Sequence, residues 1–137
     1  MSRPTETPAT VWTDLQGLVA SLTRAFSLEA EPILEAFDRR RRRKSDGDCL
    51  RTVGTTPIVR VRVHRFHRPR QALSRSTIFA AFAHEMAHLA PGCWRHGERH
   101  DAKTREIAVW ILARGYPVSR SLKHGSHPFA YKRRKKR

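Results

Sequence analysis

A chain of 137 residues with 28 Lys and Arg against 12 Asp and Glu carries a net charge of +16, a balance suited to polyanionic partners in a single-domain protein. No stretch approaches the roughly 18 uninterrupted apolar residues of a membrane helix, so a helical membrane span is excluded. Two cysteines, Cys49 and Cys93, make no disulfide framework, and no basic start followed by an apolar run marks a secretory signal. The expectation is a monomer of a reducing compartment, cytoplasmic or nucleoid-associated and not secreted.

Residues 1–10, rich in Pro and Thr, are expected to be disordered. Trp12, Leu15, Val19, Leu22 and Phe26 follow at three- and four-residue steps, which predicts an amphipathic helix with its aromatics in the core. Ile33, Leu34 and Phe37, with Pro32 suited to a first turn, predict a second short helix. The run Arg39, Arg40, Arg41, Arg42, Arg43 and Lys44 comes next, and Ser45-Asp46-Gly47-Asp48 reads as a turn. Cys49 to Val53 suggests a short strand. Pro57 to Phe66 is a stronger one, because Val59, Val61 and Val63 alternate with Arg60, Arg62 and His64. Gly54-Thr55-Thr56 suits a hairpin connection between the two. His64 and His67 read as surface or edge histidines, and Arg68-Pro69-Arg70-Gln71 as a loop.

A further helix is expected after an N-cap at Ser76-Thr77, with Phe79, Phe82, Met86 and Leu89 forming its buried stripe. Pro91-Gly92 ends it. Residues 94–101 lead into a last helix with Ile107, Trp110 and Ile111 on one face, stopped by Gly115 and Pro117. Val118 to Arg137 reads as a poorly ordered arm. The fold class is α+β: an N-terminal helix, a short antiparallel β-meander, a histidine-bearing helix, a second ligand-bearing helix and a basic C-terminal arm.

His84-Glu85-Met86-Ala87-His88 carries the chemistry. Residues four apart share a helical face, so His84 and His88 can bind one metal ion. Glu85 then stands where a carboxylate reaches a water on that metal. This is the H-E-x-x-H arrangement, in which two histidines hold Zn²⁺ and the glutamate is the general base. Zinc lowers the pKa of its water from about 15.7 towards about 7. A chance match in a chain with 8 His, or a polar helix face without metal, is the plainer reading; the helical context weighs against both.

A catalytic zinc takes three protein ligands. His96 and His100, four apart, are both candidates for the third. His96 precedes Gly97, whose missing side chain leaves room at a helix mouth. Glu106 ranks below either histidine as a thermolysin-like glutamate ligand, and the metzincin position is filled by Trp94. Cys93 is a possible soft ligand but reads better as a small buried residue.

Over residues 12 to 115 the chain resembles the SprT-like and WLM-type metallopeptidases, small gluzincin-like zinc proteases that include the Spartan DNA–protein-crosslink proteases. Their motif is H-E-x-x-H, a spacer, then H-G-x-x-F on the next helix. His84-Glu85-Met86-Ala87-His88 matches the first half. His96-Gly97-Glu98-Arg99-His100 matches the second, with His100 where the family has its aromatic. The resemblance implies a metallopeptidase domain over residues 11–117 with one Zn²⁺. It implies His84, His88 and His96 as ligands, with His100 the alternative third ligand, and Glu85 as catalytic base. Oxyanion stabilisation needs a further donor, for which His100 or Arg95 is available.

The implied substrate is protein, in particular protein bound or crosslinked to DNA. Two basic blocks fit that setting: Arg39 to Lys44, and Lys132, Arg133, Arg134, Lys135, Lys136 and Arg137. Both would attract phosphate backbones without reading sequence. Two other classes compete. One is a nucleic-acid-binding protein with a closed structural zinc held by His84, His88, His96 and His100. The other is a metal-free, degenerate protease fold.

Overall fold

A computed structural model of the chain describes residues 8–36, 47–52, 54–63 and 73–119. The elements run α1 (Pro8–Ala25), β1 (Ile33–Ala36), β2 (Gly47–Leu50), β3 (Ile58–Val61), α2 (Arg75–Ala87) and α3 (Glu98–Ala113). The α+β order of helix, small sheet, histidine-bearing helix and final helix is the one expected.

α1 buries Val11, Leu15, Leu18, Val19 and Leu22, the face its three- and four-residue spacing predicts, with Trp12 and Phe26 packed half-buried beside it. The helix begins at Pro8, so residues 8–10 belong to it rather than to a disordered leader. Proline suits that place because a first-turn N–H has no intrahelical partner to lose.

The segment expected as a second helix is instead β1. It pairs parallel with β3, Ile33 opposite Ile58 and Ala36 opposite Val61. A helix this short gains too few hydrogen bonds to offset its nucleation cost, whereas pairing along β3 satisfies the backbone at once. Phe37, the third residue of that expected helix, lies outside the described residues. β2 pairs antiparallel on the other side of β3, Gly47 opposite Val61 and Leu50 opposite Ile58. The sheet order is β1-β3-β2, so the sheet is mixed and not the antiparallel meander expected. The hairpin connection is present: Thr55 N–H donates to the Thr52 carbonyl at 3.0 Å, next to Gly54 at φ 84°. β2 starts within the residues read as a turn, because Gly47 and Asp48 already have partners on β3. Arg60 grips the Asp48 carboxylate with two hydrogen bonds of 2.8 and 2.7 Å. Val59, Val61 and Val63 are buried as the alternation predicts, but Arg62 is buried too.

α2 is the centre of the molecule. Its cap is Ser74, not Ser76 or Thr77; the Ser74 hydroxyl accepts the Thr77 N–H at 3.3 Å. The predicted stripe of Phe79, Phe82, Met86 and Leu89 is fully buried, yet so are Ile78, Ala80, Ala81, Ala83 and Ala87 on other sides. The helix is enclosed because β2, β3, α1 and α3 all pack against it. Small alanine side chains permit that approach. Ile107, Ala108 and Ile111 of α3 complete the core, each large aliphatic contributing about 1.5–3 kcal/mol through burial.

Candidate metal centre

α2 ends at Ala87, and His88 caps it with helical backbone angles (φ −62°, ψ −20°). His84 and His88 therefore keep their one-turn spacing, ring centres 5.3 Å apart. The chain then turns back on itself: Leu89, Ala90 and Cys93 N–H groups bond the carbonyls of Met86, Ala87 and Ala90. This reversal returns residues 94–97 across the two histidines. Gly97 opens α3 at φ 156°, ψ −169°, a region essentially confined to glycine. A Cβ there would meet nothing within 4 Å. The expectation that Gly97 makes room is thus replaced: its backbone angles, not its size, are what the bend needs. That bend places His96 just outside the helix and His100 in its first turn.

All four histidines meet. One ligand atom from each of His84, His88, His96 and His100 lies within 4.8 Å of the others, a group that could hold a metal ion. The Nε2 atoms of His84 and His96 are 3.2 Å apart. His88 Nδ1 lies 3.2 Å from the Cys93 carbonyl; a neutral ring donating there keeps its Nε2 lone pair for a ligand. Buried His100 has Nε2 2.9 Å from the His84 carbonyl, and its buried Nδ1 has no hydrogen-bond partner among the described residues. An imidazole nitrogen in that position can offer its lone pair to a cation. Glu85 is only 6 % exposed, with Oε1 3.9 Å from His88 Nε2.

Burial lowers the pKa of His84 from the ordinary 6.5 to about 2, and of His88 and His100 to about 4. Neighbouring imidazoles supply part of that lowering at His84 and His88, while the bond to the His84 carbonyl works against burial at His100. The three rings are neutral at pH 7, so a metal could bind them without displacing protons. The unfolded chain takes up protons on these histidines near pH 6.5; the folded chain resists until about pH 4, and His84 lower still. Protons thus favour unfolding across that window. Thermal unfolding of the metal-free protein should shift to lower temperature as pH falls from about 6.5 towards 4. A midpoint constant over that range would show that the rings are not desolvated.

Other expected site residues fall elsewhere. Glu106 pairs with Lys103 at 2.9 Å on the surface of α3, outside the histidine group. Cys93 is buried and serves through its carbonyl on His88, not through its thiol. His64, His67 and both basic blocks, Arg39 to Lys44 and Lys132 to Arg137, lie outside the described residues. Trp94 has no signal in the sequence beyond filling a metzincin ligand position. In the fold it stands 37 % exposed beside the site, its ring 5.7 Å from that of His88 and faced by the Arg51 guanidinium at 4.3 Å.

No family model matches the sequence, and no curated protein matches it either. Among solved structures the chain is similar to Wss1 from Saccharomyces cerevisiae, with a TM-score of 0.56 and 18 % identity over 77 % of this chain and 78 % of that one. A Wss1 mutant from the same yeast gives a TM-score of 0.56 and 17 % identity over 77 % and 80 % of the two chains. At that identity the likeness is one of fold.

Proposed function

We propose that the chain is a zinc-dependent endopeptidase in which His84, His88 and His96 hold one zinc ion and Glu85 is the general base. The observation that carries the ligand set is ring spacing. Imidazoles bound to one tetrahedral zinc through nitrogens about 2.0–2.1 Å from it have ring centres about 5 Å apart and nitrogens about 3.3 Å apart. His84, His88 and His96 have centres 5.3, 5.2 and 4.8 Å apart. His100 departs from that pattern at two of its three neighbours, stacked 4.0 Å from His88 and only 4.4 Å from His84, against 5.3 Å from His96. It serves as a support: its Nε2–H holds the His84 carbonyl while its ring backs His88. The H-E-x-x-H frame and the fold likeness to Wss1 point the same way.

Zinc, when bound, polarises the scissile carbonyl and lowers the pKa of water. Glu85 accepts the attacking water's proton on its carboxylate and returns it to the leaving amine. Its near-complete burial keeps the carboxylate from bulk water, and the enclosed helix that carries it fixes its direction. The Cys93 carbonyl keeps the His88 ring in one orientation and tautomer. With His100 Nε2 engaged by the His84 carbonyl, Arg95, exposed beside His96, is the better candidate for stabilising the oxyanion.

The substrate class is protein, and the setting is nucleic acid, to which the net charge of +16 would hold the enzyme. Casein and histone cleavage, with and without DNA and after zinc chelation, tests the reading. Zinc-dependent hydrolysis supports it. A chain that keeps four-histidine zinc and cleaves neither protein belongs to the closed structural class.

Deleting Lys132 to Arg137 removes six positive charges and takes the net charge from +16 to +10. For each phosphate that the shortened chain no longer neutralises, the log–log salt dependence of duplex binding should flatten by about 0.9, or of single-strand binding by about 0.7. Cleavage of a small free peptide should not change, whereas cleavage of DNA-bound protein should fall. An unchanged salt slope would leave the tail without a role on nucleic acid.

A further inference from the structure

The Glu85 carboxylate lies against β2 where that strand has no side chain. A methyl group at Gly47 would come within 3.0 Å of Glu85 Cγ, 3.2 Å of Glu85 Oε2 and 2.9 Å of the Arg60 carbonyl oxygen. The last contact is with backbone, so a methyl could be admitted only by moving the strand. Gly47 does not have a positive φ; close approach, not backbone freedom, is what glycine provides here. Cys49 lies two residues along and so faces the same way. Its thiol is pushed up to about 12, chiefly by burial and then by the charge of Glu85, which agrees with a carboxylate resting over this face of β2. The strand cannot easily give way. Its register on β3 is fixed by pairing, and the forked Asp48–Arg60 bond ties the residue next to Gly47 to the neighbouring strand.

We propose that Gly47 is a positioning residue for Glu85: the side chain it lacks is the space that seats the carboxylate, and the Asp48–Arg60 pair holds that space at a fixed width. The catalytic consequence rests on the peptidase reading, while the seat itself does not. Glu85 is carried by α2 and Gly47 by the sheet, so the seat joins two different elements of one core at the reacting group. A displacement of about 1 Å in a catalytic group can cost about 100-fold in rate, which makes the width of this seat consequential.

The test compares Gly47→Ala, Glu85→Ala and the double variant in thermal unfolding of the metal-free chain. In parallel, zinc-loaded Gly47→Ala is assayed on a small peptide. Gly47→Ala should lower the unfolding midpoint by about 4 °C or more, and by distinctly less once Glu85 is alanine, the contact with the Arg60 carbonyl accounting for what remains. Its kcat should fall about 10-fold or more, with KM and bound zinc unchanged. Equal losses of midpoint in both backgrounds would mean that the methyl meets only the Arg60 carbonyl, and would overturn the seat. An unchanged kcat in an active, folded Gly47→Ala would overturn it as well. If Gly47→Ala does not fold, a folded double variant supports the seat and an unfolded one refutes it. Lack of cleavage by the parent chain would sink the peptidase reading alone, leaving the unfolding comparison to decide the seat.

Discussion

Glu85→Gln is expected to retain one bound zinc ion and to lose peptide cleavage by about 10²–10⁴-fold, the usual contribution of a positioned general base. Glutamine has the same shape, so it can occupy the space against Gly47 without moving α2. It cannot take a proton from water near neutral pH. Glu85 is enclosed rather than solvent-facing, and its nearer oxygen is 3.9 Å from His88 Nε2, close to the ligand group without belonging to it. Metal analysis and kcat on the same folded preparation check the prediction. Loss of zinc from that preparation would make Glu85 a ligand and transfer the base role elsewhere.

The second large effect separates His96 from His100. His96→Ala should weaken zinc binding by well over about 100-fold, because it removes one of the three proposed ligands. His100→Ala should cost about 10–100-fold, the range for a residue that orients ligands from behind. The distinction follows from their surroundings. His96 is exposed and reaches the site only through the Gly97 bend, its Nε2 3.2 Å from that of His84. His100 is fully buried, stacked on His88 and bonded to the His84 backbone. Competition titration with a zinc chelator measures both. The opposite order would give the third position to His100, whose Nδ1 would then be the ligand atom; equal severe losses would favour a closed four-histidine site.

The pairing of His84, Glu85 and His88 is legible in sequence because a helix converts a four-residue spacing directly into proximity. The choice between His96 and His100 is not, since they too are four apart and both arrive at the centre. What distinguishes them is ring packing set by the Gly97 backbone and by the floor of α2. The strand Ile33–Ala36 is hidden for a different reason: its partner is β3, far along the chain, and a short apolar run carries no record of a nonlocal partner. The enclosure of α2 is obscured by alanines, which read as neutral in a stripe of phenylalanines yet mark the sides where neighbours come closest. Gly47 sits in a Ser-Asp-Gly-Asp string that looks like a turn, and its importance depends on a carboxylate from another element.

An open zinc site with three histidine ligands is tested most directly by X-ray absorption at the zinc edge of the loaded protein, which counts imidazoles. Three imidazoles and one oxygen ligand without a ring are expected, with the imidazole count falling to two in His96→Ala and staying at three in His100→Ala. Four imidazoles in the parent protein would contradict the open site, because no coordination position would then be left for water.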